Sequence, residues 1–138
     1  SSFIVGFPGE TEEHVDQLAD FLEDVHLDWS GFFPYSAEAG TPAAALPGRV
    51  DRSEIEDRLR HLQGIQDGIT ADINAGTIGD VVEVLVDQVE DGTAVARSAR
   101  QAPEIDGMIT LDAGVPGAWL TVEITGAFGP DLDAVVRP

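Results

Sequence analysis

The 138 residues suffice for one ordinary domain or two small ones, and an apolar content of 43% is too high for a disordered chain. Asp and Glu number 26 against 7 basic residues, giving a net charge of −19 that repels polyanions and attracts basic proteins. With no cysteine there are no disulfides, thiolate metal sites or thiol nucleophiles, and no apolar run approaches the roughly 20 residues that span a bilayer. The chain is expected to be soluble and, by default, cytoplasmic. It opens on Ser1 and Ser2, and its single methionine is Met108, which suggests a piece of a longer chain.

The first element is the apolar run Phe3-Ile4-Val5, which ends in Gly6-Phe7-Pro8-Gly9-Glu10-Thr11. It reads as a strand delivering a loop, with a glycine that lets backbone approach a ligand, as at the strand ends of α/β barrels. Residues 11 to 26 follow as an amphipathic helix. Thr11 can cap it, Glu12 and Glu13 suit its first turn, and Val15, Leu18, Leu22 and Val25 share a face. The aromatic stretch over 29 to 35 predicts a second strand, completing a βαβ unit whose parallel sheet is normally covered on both faces. The Ala, Gly and Pro of residues 37 to 50 form a connector.

Asp51 and Glu54 mark a helix start, and Ile55, Leu59, Leu62, Ile65, Ile69 and Ile73 form a stripe that predicts a helix to about Asn74. Gly64 and Gly68 each weaken it by roughly 1 kcal/mol relative to alanine unless close packing uses them. Asn74, Gly76 and Gly79 read as its stop signals. Beyond Asp80 the period changes to two. Val82, Val84 and Val86 alternate with Glu83, Leu85 and Asp87, and Leu120, Val122 and Ile124 alternate with Thr121, Glu123 and Thr125. With Asp91-Gly92 as a hairpin turn and a last strand over 131 to 136, the pattern predicts five strands closed into a small barrel. The fold class is therefore α/β plus all-β. The charge is global, with 15 acids against 4 arginines up to Gly76 and 11 against 3 beyond it, or −11 and −8.

Three groups of residues, taken in order, resemble the radical S-adenosylmethionine methylthiotransferases. They are Ile4-Val5-Gly6-Phe7-Pro8-Gly9-Glu10-Thr11, Pro34-Tyr35-Ser36 with Gly40-Thr41-Pro42-Ala43, and Asn74 with Gly79 and Glu83-Val84-Leu85-Val86. Arg97-Ser98 and Gln101-Ala102-Pro103-Glu104-Ile105-Asp106-Gly107 look like the branch that modifies ribosomal protein S-twelve, the RimO family. The resemblance implies residues 1–50 as the C-terminal part of a radical S-adenosylmethionine (β/α) barrel, 51–76 as a connecting helix and 77–138 as an OB-like TRAM β-barrel. It implies a parent enzyme that replaces a C–H bond on an aspartate β-carbon by a methylthio group, using S-adenosylmethionine and two 4Fe-4S clusters. The first cluster needs a C-x3-C-x2-C loop and the second needs three further cysteines, all absent here, so the segment alone is expected to be inactive.

On the same footing Ile4, Val5, Gly6, Phe33 and Tyr35 are implied cofactor contacts, although by themselves they read equally as core strands. Arg97, Arg100, Glu104, Asp106 and Trp119 are the implied substrate contacts of the barrel. Trp119 faces outward if Leu120, Val122 and Ile124 face in. No catalytic or metal residue is assigned, since His14, His26 and His61 make no ligand spacing. The expected partner is basic ribosomal protein S-twelve, with neither a membrane nor RNA as a direct partner of the barrel. Two alternatives stay open: a tRNA methylthiotransferase, and a non-catalytic acidic module that binds a basic protein. Nothing in the sequence sets the oligomeric state.

Overall fold

In the computed structural model, which describes residues 1–102 and 105–138, contacts divide the chain into Ser1–Ile69 and Thr70–Pro138. Within the first unit, strand β1 (Ser2–Val5) pairs in parallel with β2 (Gly31–Pro34), and helix α1 (Glu12–Val25) is the crossover between them. Side chains alternate across the two strands. Phe3 stacks on its register partner Phe32 at 5.6 Å between centroids and meets Phe21 of α1 edge-on at 6.2 Å. On this covered face Val5, Val15 and Leu22 are buried.

Thr11 precedes α1 in an extended conformation, and its N–H donates to His14 Nδ1 at 3.1 Å. His14 thus fills the place that Glu or Gln takes in a capping box. The expected apolar face is modified at its end, because Val25 is exposed and Ala19 is buried in the stripe instead. His26 then closes the helix at φ 51°, with its N–H on the Leu22 carbonyl. A single 3₁₀ turn, Pro42–Ala45, interrupts the connector.

Helix α2 (Arg52–Ala75) begins and ends within a residue of the span that its apolar stripe predicts. Gly64 and Gly68 meet no atom within 4 Å at the Cβ position, so neither makes room for a close neighbour. Asn74 corrects the sequence reading. It lies inside the helix, fully buried, and its amide donates to the carbonyls of Gly129 and Pro130 at 3.0 and 3.1 Å. Those hydrogen bonds satisfy the donor end of the buried amide, while its Oδ1 has no partner among the described residues, so Asn74 grips a turn rather than stopping a helix.

In the second unit β3 (Val81–Glu90), β4 (Thr93–Arg97), β5 (Ile109–Leu111), β7 (Asp131–Val136) and β6 (Trp119–Phe128) close in that spatial order. All neighbours are antiparallel except β5 and β7. Irregularities between Val86 and Gln88 and between Ile124 and Gly126 supply the local bends that closure needs. The interior pairs large side chains with small ones. Ala94 faces Leu111, Ala96 faces Ile109, and Ala134 lies beside both Leu111 and Ile124. Each of these is buried, and burying one aliphatic side chain contributes roughly 1.5–3 kcal/mol. Among the described residues no helix is long and apolar enough to cross a membrane.

Candidate functional site

The end of β1 is built by an uninterrupted chain of polar contacts. Gly6 lies at φ +86°, a conformation that glycine adopts freely, and a Cβ there would stand 2.4 Å from Ile55 Cδ1. Its N–H points at both carboxylate oxygens of Glu10, each at 3.0 Å. Arg58 of α2 in turn donates to Glu10 Oε1 at 2.9 Å, to Glu12 Oε1 at 3.0 and 2.8 Å, and to Glu54. The guanidinium is 5% exposed. Burial works to lower its pKa, but the hydrogen bonds to Glu12 and Glu10 and the nearby charges leave it raised, so the side chain stays cationic.

The sheet face opposite α1 is apolar and open. Ile4 and Phe33 are register partners on it, 64% and 55% exposed. Just past the end of β2, the Tyr35 N–H donates to the Val5 carbonyl at 2.7 Å and its ring meets Phe7 edge-on at 5.4 Å. The Tyr35 hydroxyl is buried and has no hydrogen-bond partner among the described residues. Of the expected cofactor residues, Ile4 and Phe33 therefore share one open face. Val5 is buried on the other side, Gly6 forms the turn, and Tyr35 lies at the end of the sheet. The end of the sheet thus presents an exposed aliphatic and aromatic pair beside a tight glycine turn, together with the buried Tyr35 hydroxyl.

In the barrel, Arg97 and Asp106 line one cavity of about 310 Å³ together with Asp87, Val95 and Met108. Arg97 Nε donates to Asp87 Oδ1 at 3.0 Å, and Asp106 Oδ2 accepts the Ala102 N–H at 2.8 Å. Ser98 and the buried Gln101 brace this loop, with Gln101 Oε1 accepting from the Ser98 N–H at 3.0 Å and the Arg100 N–H donating to Ser98 Oγ at 3.2 Å. Arg100 does not line the cavity, and Glu104 lies outside the described residues. Trp119 is 69% exposed. Its register partner is Leu85, whose partner on the other side is Arg97, so the three stand in one row across β6, β3 and β4. Among the described residues no group of three or more His, Asp or Glu is arranged to hold a metal ion.

Sequence reasoning missed Glu10 and Arg58. One signal was available, since Arg58 interrupts the apolar stripe of α2 between Ile55 and Leu62, where a cation needs buried partners.

A closed five-stranded barrel following a long helix is the architecture of a TRAM domain, and residues 78–136 match the TRAM domain family. Similarity to whole proteins extends through both units. The chain is 46% identical to the ribosomal protein uS12 methylthiotransferase RimO of Dechloromonas aromatica over 99% of its own length and 32% of that protein's. The corresponding proteins of Nocardioides sp. and Moorella thermoacetica are 43% and 46% identical over 97% and 91% of the chain, and 29% and 28% of theirs. The chain is similar to RimO sequences along nearly its whole length, and it spans about a third of the length of the curated relatives that it matches.

Proposed function

We propose that this chain is the cofactor-edge and recognition portion of a cytoplasmic radical S-adenosylmethionine methylthiotransferase that acts on ribosomal protein S-twelve. The observation that carries this reading is the identity of 46% to a protein of that name across 99% of the chain. The open Ile4 and Phe33 face supports a place for the adenine of S-adenosylmethionine, with Gly6 and Tyr35 at its edge and Val5 anchoring the strand from behind. When bound next to an iron-sulfur cluster, S-adenosylmethionine supplies the radical that removes a hydrogen atom from the target carbon. The chain has no cysteine, so both 4Fe-4S clusters belong to the rest of the parent and the segment alone is inactive.

The barrel is the recognition part. Its 11 acids against 3 arginines favour a basic protein over RNA, whose phosphates need cations to displace their counterions. Trp119, standing out from the sheet, gives an apolar anchor, while Arg97 at the end of β4 and Arg100 and Asp106 beyond it provide polar contacts, and Glu104, outside the described residues, is included on the sequence resemblance alone. The target is an aspartate side chain, methylthiolated at its β-carbon.

The test is to produce the longer protein carrying this segment, reconstitute its clusters, and incubate it with S-adenosylmethionine, a sulfur source and ribosomal protein S-twelve. Mass spectrometry should find one methylthio group on an aspartate of that protein. A methylthiolated tRNA and unmodified S-twelve would establish the tRNA reading instead. No S-adenosylmethionine turnover with either, but tight binding of a basic protein, would leave an acidic binding module.

A further inference from the structure

Arg58 is the most unusual charge in the first unit: a guanidinium 5% exposed, surrounded by three carboxylates, and the one charged residue among the buried positions of α2, whose other buried side chains are aliphatic or neutral polar. Stability alone does not call for it, because a buried ion pair of this kind is often matched or exceeded by well-packed hydrophobic side chains. What a buried ion cluster does provide is one fixed arrangement. Glu12 and Glu54 are largely solvated, at 71% and 47% exposure, whereas Glu10 is 15% exposed and is the carboxylate that reaches backbone. Both of its oxygens receive the Gly6 N–H, immediately after the buried Val5 and two residues after the open-face Ile4. Ile55, one helical turn before Arg58, fills the space beneath Gly6. Charge and packing from α2 therefore converge on a single peptide group at the strand end.

Building on the proposed cofactor edge, we infer that Arg58 is a positioning residue for S-adenosylmethionine: it holds Glu10, and Glu10 holds the Gly6 turn that sets the Ile4 and Phe33 face. Arg58 touches no substrate itself. A displacement of the turn is felt as weaker binding because contact geometry falls off within about an ångström. Lysine in its place keeps the charge but can pair with only part of the cluster.

The experiment compares wild type, Arg58→Met, Arg58→Lys, Glu10→Gln and the Arg58→Met/Glu10→Gln double variant of the longer, cluster-loaded protein. It reads equilibrium binding of S-adenosylmethionine and hydrogen–deuterium exchange of the peptide that contains Gly6. For Arg58→Met the expected results are a Kd raised about tenfold, faster exchange at Gly6, and unchanged exchange around Val122 of the barrel. Arg58→Lys should recover much of both changes, and the double variant should be no worse than the poorer single one. Loss of Gly6 protection with an unaltered Kd would overturn the inference, leaving a clamp that only shapes a turn, and so would unaltered protection. If Arg58→Met fails to fold, Glu10→Gln, which nearly preserves volume, is judged by the same two readouts. Failure of the wild-type protein to bind S-adenosylmethionine would instead refute the proposed cofactor edge and, with it, this role for Arg58.

Discussion

An alanine methyl group at Gly6 would be strained twice, by φ +86° and by Ile55 Cδ1 at 2.4 Å. The backbone contributes about 1–2 kcal/mol and the overpacking about 1–3 kcal/mol. Gly6→Ala should therefore destabilise the first unit by at least about 2 kcal/mol in a urea titration, and the companion change Ile55→Ala should relieve only the packing share. At Gly107 the obstacle is backbone rather than a side chain. A Cβ there would lie 1.8 Å from the Pro130 carbonyl oxygen, the same oxygen that accepts from Asn74. Gly107→Ala should accordingly displace the β6–β7 turn and lower the barrel's melting temperature by more than an exposed glycine substitution does. Neither position declares its reason in the sequence. Gly6 looks like a turn glycine and Gly107 like hairpin punctuation, and what forbids a side chain comes from residues 49 and 23 positions away.

At the scale of elements, α2 carries two glycines that pack against nothing. Gly64→Ala and Gly68→Ala should each stabilise the chain by about 0.5–1 kcal/mol, read as a higher denaturation midpoint by circular dichroism. The barrel should respond in the opposite sense. Ile109→Ala leaves a cavity against Ala96 and Leu132 and should destabilise by about 3 kcal/mol. The helices were legible because a stripe of apolar residues over many turns averages out local noise, and β3 and β6 because strict alternation continues through their buried halves. The short β5 was not legible, since three residues carry no period and the strand exists through its neighbours β4 and β7. The Arg58 clamp was hidden for a related reason. Glu10 is 48 residues away in sequence, and which of 26 acids it would meet depends on the fold.

Across the whole molecule the net charge of −19 acts at the longest range, and both halves of the sequence share it. If the barrel recognises a basic protein, association should slow as salt is added, because the Debye length shortens from about 10 Å at 0.1 M to about 3 Å at 1 M. Stopped-flow association at those two salt concentrations checks this. The dissociation rate, governed by close contacts such as an anchored Trp119, should change much less, and Trp119→Ala should raise it.

The one parallel pair in the barrel, β5 with β7, places the strand latest in this sequence between two strands made earlier. Until residues 131–136 are in place, β5 and β6 each present an unpaired edge, so the barrel cannot be assembled hairpin by hairpin as the polypeptide emerges during synthesis. Its closure is a late, non-local event of the kind that proceeds on the millisecond-to-second scale. During that interval the two open strand edges are available for mispairing.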